Sequence, residues 1–66
     1  MKWYEVCDLN KGMFSDNSMI KAKSPLEAAR NYIKQLGENK EVTRDLFNKG
    51  RLVVRGGNGS YVYNVD

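Results

Sequence analysis

Histidine is absent from the 66 residues. With it go the commonest general base near neutral pH, the usual member of a nucleophilic triad and the commonest zinc ligand. Cysteine occurs once, at Cys7, so no intrachain disulfide can form. Small secreted domains carry their cysteines in pairs, and a lone thiol fits a reducing cytosol. With no histidine or CxxC partner to activate it, Cys7 reads as a core residue. Apolar runs reach only three residues, as in Leu52-Val53-Val54, against the roughly 20 needed to cross a bilayer. No membrane is expected as a partner. Met1-Lys2-Trp3-Tyr4-Glu5 carries charge at once and leads into no apolar stretch of signal-peptide length. The acids offer no catalytic pair either: Glu5 and Asp8 lie three apart in a strand pattern and so face opposite ways. These absences point to a cytoplasmic, non-enzymatic chain with no cofactor and no metal.

What remains is the composition of a folding domain. Hydrophobic residues make up 41% of the chain, and 11 Lys plus Arg against 8 Asp plus Glu give a formal charge of +3. A chain of this size buries only about 60% of its unfolded surface, so residues 1–66 make one domain of modest stability, with a homodimer left open.

Periodicity supplies the elements. Lys2 to Leu9, rich in aromatic and branched residues, reads as a strand, and Asn10-Lys11-Gly12 carries turn chemistry. Met13-Phe14 offers a place for pairing to resume before the polar run Ser15 to Ser18. From Met19 a period of two puts Ile20 and Ala22 on a core face and Lys21 and Lys23 in water, a second strand. Ser24-Pro25-Leu26-Glu27 is a capping box with proline at the first helical position. The helix it opens runs from Pro25 to Leu36, with Leu26, Ala29, Ile33 and Leu36 along one stripe, and Gly37 offers a left-handed cap. Between 38 and 49, Val42, Leu46 and Phe47 share a helical face, which suggests a short helix. Leu52 to Arg55 and Tyr61 to Val65 then flank Gly56-Gly57-Asn58-Gly59, a hairpin pattern. Two registers are open, pairing either Gly57 or Arg55 with Ser60, and both give the same faces. Leu52, Val54, Tyr61, Tyr63 and Val65 would meet the helix; Arg51, Val53, Arg55, Val62 and Asn64 would not. The expected fold is α+β: a small antiparallel sheet in the order β-β-α-(short helix)-β-β, with one main helix packed on one face.

Charge is uneven along this frame. Residues 49–65 carry Lys49, Arg51 and Arg55 and no acid. If the second strand lies near the hairpin, these three join Lys21 and Lys23 in a basic surface suited to phosphates. Trp3 and Tyr4 are successive strand positions on opposite faces, so one ring, Trp3 for instance, is left for a base or a groove. The Gly56 to Gly59 loop leads into a strand, not a helix, and reads as a turn.

The stretch Met19 to Arg30, with its Ser24-Pro25-Leu26-Glu27-Ala28-Ala29-Arg30, followed by Arg51-Leu52-Val53-Val54-Arg55-Gly56 and an aromatic-bearing strand, resembles the archaeal chromosomal protein MC1 family. That family has two strands, a helix opened by proline and an Ala-Ala pair, and a basic hairpin region, and it bends DNA. The resemblance implies DNA contact through Arg51 and Arg55. Val53 stands where the family has another basic residue, and this chain is far less basic.

The sequence thus supports two readings. One is a nucleic-acid-binding module, for DNA or RNA, using Lys21, Lys23, Lys49, Arg51, Arg55 and Trp3. The other is a small regulator or inhibitor, of phage or host type, that docks on an acidic protein partner or pairs an edge strand with it.

Overall fold

The computed structural model describes residues 1–12 and 17–66. The chain forms β1 (Lys2–Asp8), a short 3-10 turn (Leu9–Lys11), β2 (Ser18–Ala22), α1 (Pro25–Gln35), β3 (Val42–Arg44), β4 (Leu52–Gly56) and β5 (Gly59–Val65). The strands make one antiparallel sheet in the order β2-β1-β4-β5-β3, and α1 packs on one face of it. The α+β architecture read from the sequence is the one observed. Any resumed pairing at Met13-Phe14 lies outside the described residues.

The capping chemistry at α1 forms as its residues dictate. Ser24 is extended (φ −151°), and its hydroxyl accepts from the Glu27 N–H at 3.2 Å, with Pro25 following. At the other end, Gly37 N–H bonds the Lys34 carbonyl and Glu38 N–H bonds the Ile33 carbonyl, with Gly37 at φ 76°. That pair of bonds is a Schellman motif, which reverses the chain and fixes where Glu38 goes. Ala28 and Ala29 are fully buried and let the helix axis approach the sheet closely, while Tyr32 and Ile33 fill the space beside them. The opposing layer is Tyr4, Val6, Ile20, Ala22, Leu52, Val54 and Tyr63. The Tyr4 ring lies directly over Gly56, where any Cβ would collide with it. Among the two hairpin registers, Arg55 pairs with Ser60, and a further pair, Gly56 with Gly59, tightens the turn to Gly57-Asn58 with Gly57 at φ 59°.

The short helix expected between 38 and 49 does not form. Val42 and Thr43 are β-branched, and β3 instead pairs with β5 through Val42–Val65, Thr43–Asn64 and Arg44–Tyr63. Beyond it, the Asp45 carboxylate accepts the N–H groups of Phe47 (2.8 Å) and Lys49 (2.6 Å), which closes the chain into a loop. Asn48, at φ 58°, takes the left-handed turn that asparagine tolerates. Only Val42 of the expected apolar face is buried; Leu46 and Phe47 stand in solvent.

One polar cluster joins the layers at the end of β1. Asp8 is 3% exposed, and its carboxylate accepts four bonds: from Asn10 N–H (3.0 Å), Tyr32 Oη (3.1 Å), Arg51 Nε (3.1 Å) and Arg51 Nη2 (3.1 Å). Four is the full capacity of a carboxylate. Arg51 also reaches both Glu38 oxygens, at 3.2 and 3.0 Å. Burial would raise the Asp8 carboxyl, but the hydrogen bonds from Arg51 and Asn10, with the guanidinium charge, outweigh it and hold the group below its ordinary 3.8. Tyr32 is pushed up to about 12, by burial first and then by the Asp8 charge beside it. Among the described residues no buried side-chain nitrogen or oxygen lacks a partner.

Removing Arg51 would leave a buried carboxylate without its charge partner, so Arg51→Ala is expected to lower unfolding free energy by about 3 kcal/mol, read from urea denaturation; a loss under about 1 kcal/mol would contradict the burial of the pair. The pH dependence has two limbs. A depressed carboxyl stabilises the fold above its unfolded value, so stability falls as pH drops below about 4. A raised phenol stabilises below its unfolded value, so stability falls again between about pH 10 and 12. Thermal melts across pH should show both limbs, with Asp8→Asn flattening the acid one and Tyr32→Phe weakening the alkaline one.

Candidate nucleic-acid interface

Strand alternation divides each strand between the helix and the opposite side. In β1, Tyr4, Val6 and Asp8 point to α1, so Trp3, Glu5 and Cys7 point away. The same rule sends Met19 and Lys21 of β2, Val53 and Arg55 of β4, and Ser60, Val62 and Asn64 of β5 to the outer face, which carries no second layer among the described residues. Cross-strand register sets their neighbours. Trp3 stands opposite Lys21, Glu5 lies between Met19 and Arg55, and Cys7 lies opposite Val53, which in turn pairs with Val62.

Trp3 is 59% exposed, and the Lys21 ammonium is 5.9 Å from its ring centroid, within cation–π range. Two residues beyond the Glu5–Arg55 pair the chain reaches Gly57 of the turn, which has no side chain and has open space above it. Among the described residues, Gly57 therefore puts no side chain over the ring toward β4. Further along β1, Cys7, Leu9, Asn17, Val53 and Arg55 line a half-open hollow of about 200 Å³. Cys7, Leu9 and Val53 give it apolar lining, and Asn17 and Arg55 give it polar lining. Asn17 Nδ2 donates to Glu5 Oε1 at 2.9 Å, which ties the start of β2 to this face.

The cations read from the sequence separate into two groups. Lys21 and Arg55 share the outer face with Trp3, and Lys23 follows β2 at the same end, exposed. Lys49 lies beyond the opposite end of β4, in the Asp45 loop. Arg51 does not share an uncovered face with Arg55, as alternation suggests. It precedes β4, outside the strand pleat, and the buried Asp8 carboxylate draws its guanidinium away. Its pKa is raised further above the normal arginine range, first by the hydrogen bonds to Asp8 and then by those to Glu38. Cys7 is likewise not a core residue: parity with Trp3 and Glu5 places it half-buried on the outer face.

Two exposed apolar side chains were not legible as such. Leu46 is 75% and Phe47 81% exposed, at the tip of the loop that Asp45 closes. An aspartate two residues before Phe47, with asparagine and glycine after it, was the available turn signal, and helical spacing obscured it.

The two groups separate in stability. Lys21→Ala and Arg55→Ala touch only exposed positions and are expected to shift unfolding free energy by less than about 0.5 kcal/mol, measured beside Arg51→Ala in urea; comparable losses for all three would show that the outer-face cations serve the fold. Compared with known protein families, curated proteins and solved structures, the chain matches none.

Proposed function

We propose that this chain is a small non-enzymatic nucleic-acid-binding module, acting in the cytoplasm, that contacts phosphates through Lys21, Lys23 and Arg55 on the open face of its sheet. The observation that carries the reading is Trp3, an indole held more than half exposed on that face with Lys21 against its ring and Arg55 two strand positions away. An exposed aromatic among cations is the pairing that nucleic acids select, since the ring stacks on bases while the cations release counterions from phosphates. The likeness to the MC1 family points to nucleic acid as well, and of the two arginines it implies, Arg55 lies on this face. Arg51 is engaged with Asp8 and Glu38, and Lys49 lies at the other end of β4, so neither belongs to the proposed contact surface.

A second reading has its own observation. Leu46 and Phe47 project from a loop stiffened by the Asp45 carboxylate, with Arg44 and Lys49 beside them in the chain. Preformed apolar anchors of this kind suit a protein pocket with an acidic rim.

The test is fluorescence anisotropy of a labelled 20-base-pair duplex and of a matching single strand at 50 and 200 mM salt. With about three phosphate contacts, a fourfold rise in salt should weaken single-strand binding by roughly 15- to 20-fold, and Lys21→Glu with Arg55→Glu should abolish it. No binding at 50 mM salt would sink the proposal. A partner that the wild type pulls from lysate and that Leu46→Ser with Phe47→Ser loses would then favour the second reading.

A further inference from the structure

We infer that the open face takes single-stranded rather than duplex nucleic acid, with one base stacked on Trp3 and a second seated in the hollow between Cys7 and Val53. The inference rests on the nucleic-acid reading above and narrows it. Four steps across a five-stranded sheet at about 4.8 Å each span roughly 19 Å. The major groove is about 12 Å wide and the minor groove about 6 Å, so the whole face enters neither unless the duplex is first distorted at a cost in unstacking. Against a duplex it would meet only the rails of phosphate, and it has few charges for that. Lys21 and Arg55 are outer-face cations at this end, with Lys23 and Lys2 close by, and Glu5 stands directly beside Arg55. Duplex binding by charge alone draws on six to ten phosphate contacts in typical cases.

A single strand meets different chemistry on the same surface. Its bases are free to turn toward the protein, and a broad sheet with an exposed aromatic is the platform on which they stack. Lys21 lies 5.9 Å from the Trp3 centroid, so a phosphate drawn to its ammonium brings the attached base over the indole. Trp3 and Cys7 are four residues apart along β1, about 13 Å at the strand rise. At that remove the hollow offers apolar lining from Cys7, Leu9 and Val53, and Asn17 and Arg55 also line it, polar groups suited to base edges and a phosphate. Glu5 falls between the two positions, bonded by Asn17. Its charge keeps phosphates off the centre of the face and leaves them the flanks at Lys21 and Arg55.

Trp3 is the single tryptophan, so its own emission reports the contact. The experiment titrates the unlabelled protein with 12-nucleotide oligo-dT, 12-nucleotide oligo-rU and a 12-base-pair duplex at 50 mM salt, reading tryptophan fluorescence together with anisotropy of labelled copies. Expected are quenching by oligo-dT or oligo-rU, single-strand binding at least tenfold tighter than duplex binding, and a further loss of about tenfold or more in Trp3→Ala that Trp3→Phe largely restores. Circular dichroism of both variants should match the wild type, since the ring is not part of the core. Duplex binding as tight as single-strand binding, or single-strand binding without quenching and unchanged in Trp3→Ala, would overturn this inference and leave the broader reading standing. Binding to none of the three probes would overturn both.

Discussion

The bidentate pair between Arg51 and Asp8 is the constraint on which the rest of the molecule depends. A domain this small has one thin layer of apolar side chains between helix and sheet, and little surplus to hold its margins together. The pair joins residues 43 apart in sequence. It also gathers α1 through Tyr32 and the turn after α1 through Glu38. Charge-assisted bonds in a partly buried setting are strong only when every lone pair is met, and Asp8 meets that condition. The Schellman turn at Gly37 has a role beyond ending a helix, because it delivers Glu38 to the free side of the guanidinium.

That arrangement also decides what the outer face can offer. Since Arg51 is held toward the helix side, the outer face keeps Lys21 and Arg55 at the end where Trp3 stands, and Gly57 puts no side chain over the ring. Buried and exposed charges are thereby segregated: one arginine of the β4 region secures the layers, and the other, four residues later, faces solvent. On the proposed reading, a face with few charges and one exposed indole would discriminate by shape and stacking more than by field strength.

Much of this was legible in the residues. Alternation in β1 placed Tyr4 and Trp3 on opposite sides, the Ser24-Pro25 cap marked the helix start, and the glycine-rich turn brought β4 and β5 together with Leu52, Val54 and Tyr63 inward. What escaped depended on long-range pairing. Val42 to Arg44 is too short to announce a strand and becomes one only because β5 leaves an edge for it. Asp8 looks like an ordinary polar strand residue until Arg51 and Tyr32 arrive from distant parts of the chain. Cys7 looks like core by residue type, yet its parity puts it on the far face. Leu46 and Phe47 fit a helical stripe on paper, and the Asp45 side chain overrides that stripe by capturing the backbone.

The strand order carries a consequence for synthesis. β1 is made first but sits inside the sheet, between β2 and β4, so one of its two ladders stays empty until β4 emerges. The β1–β2 ribbon alone is too slight to persist in water, and α1 has only half a sheet to lie on. A lengthening chain therefore holds one edge of β1 unpaired until β4 follows, and the β4–β5 hairpin completes the sheet late.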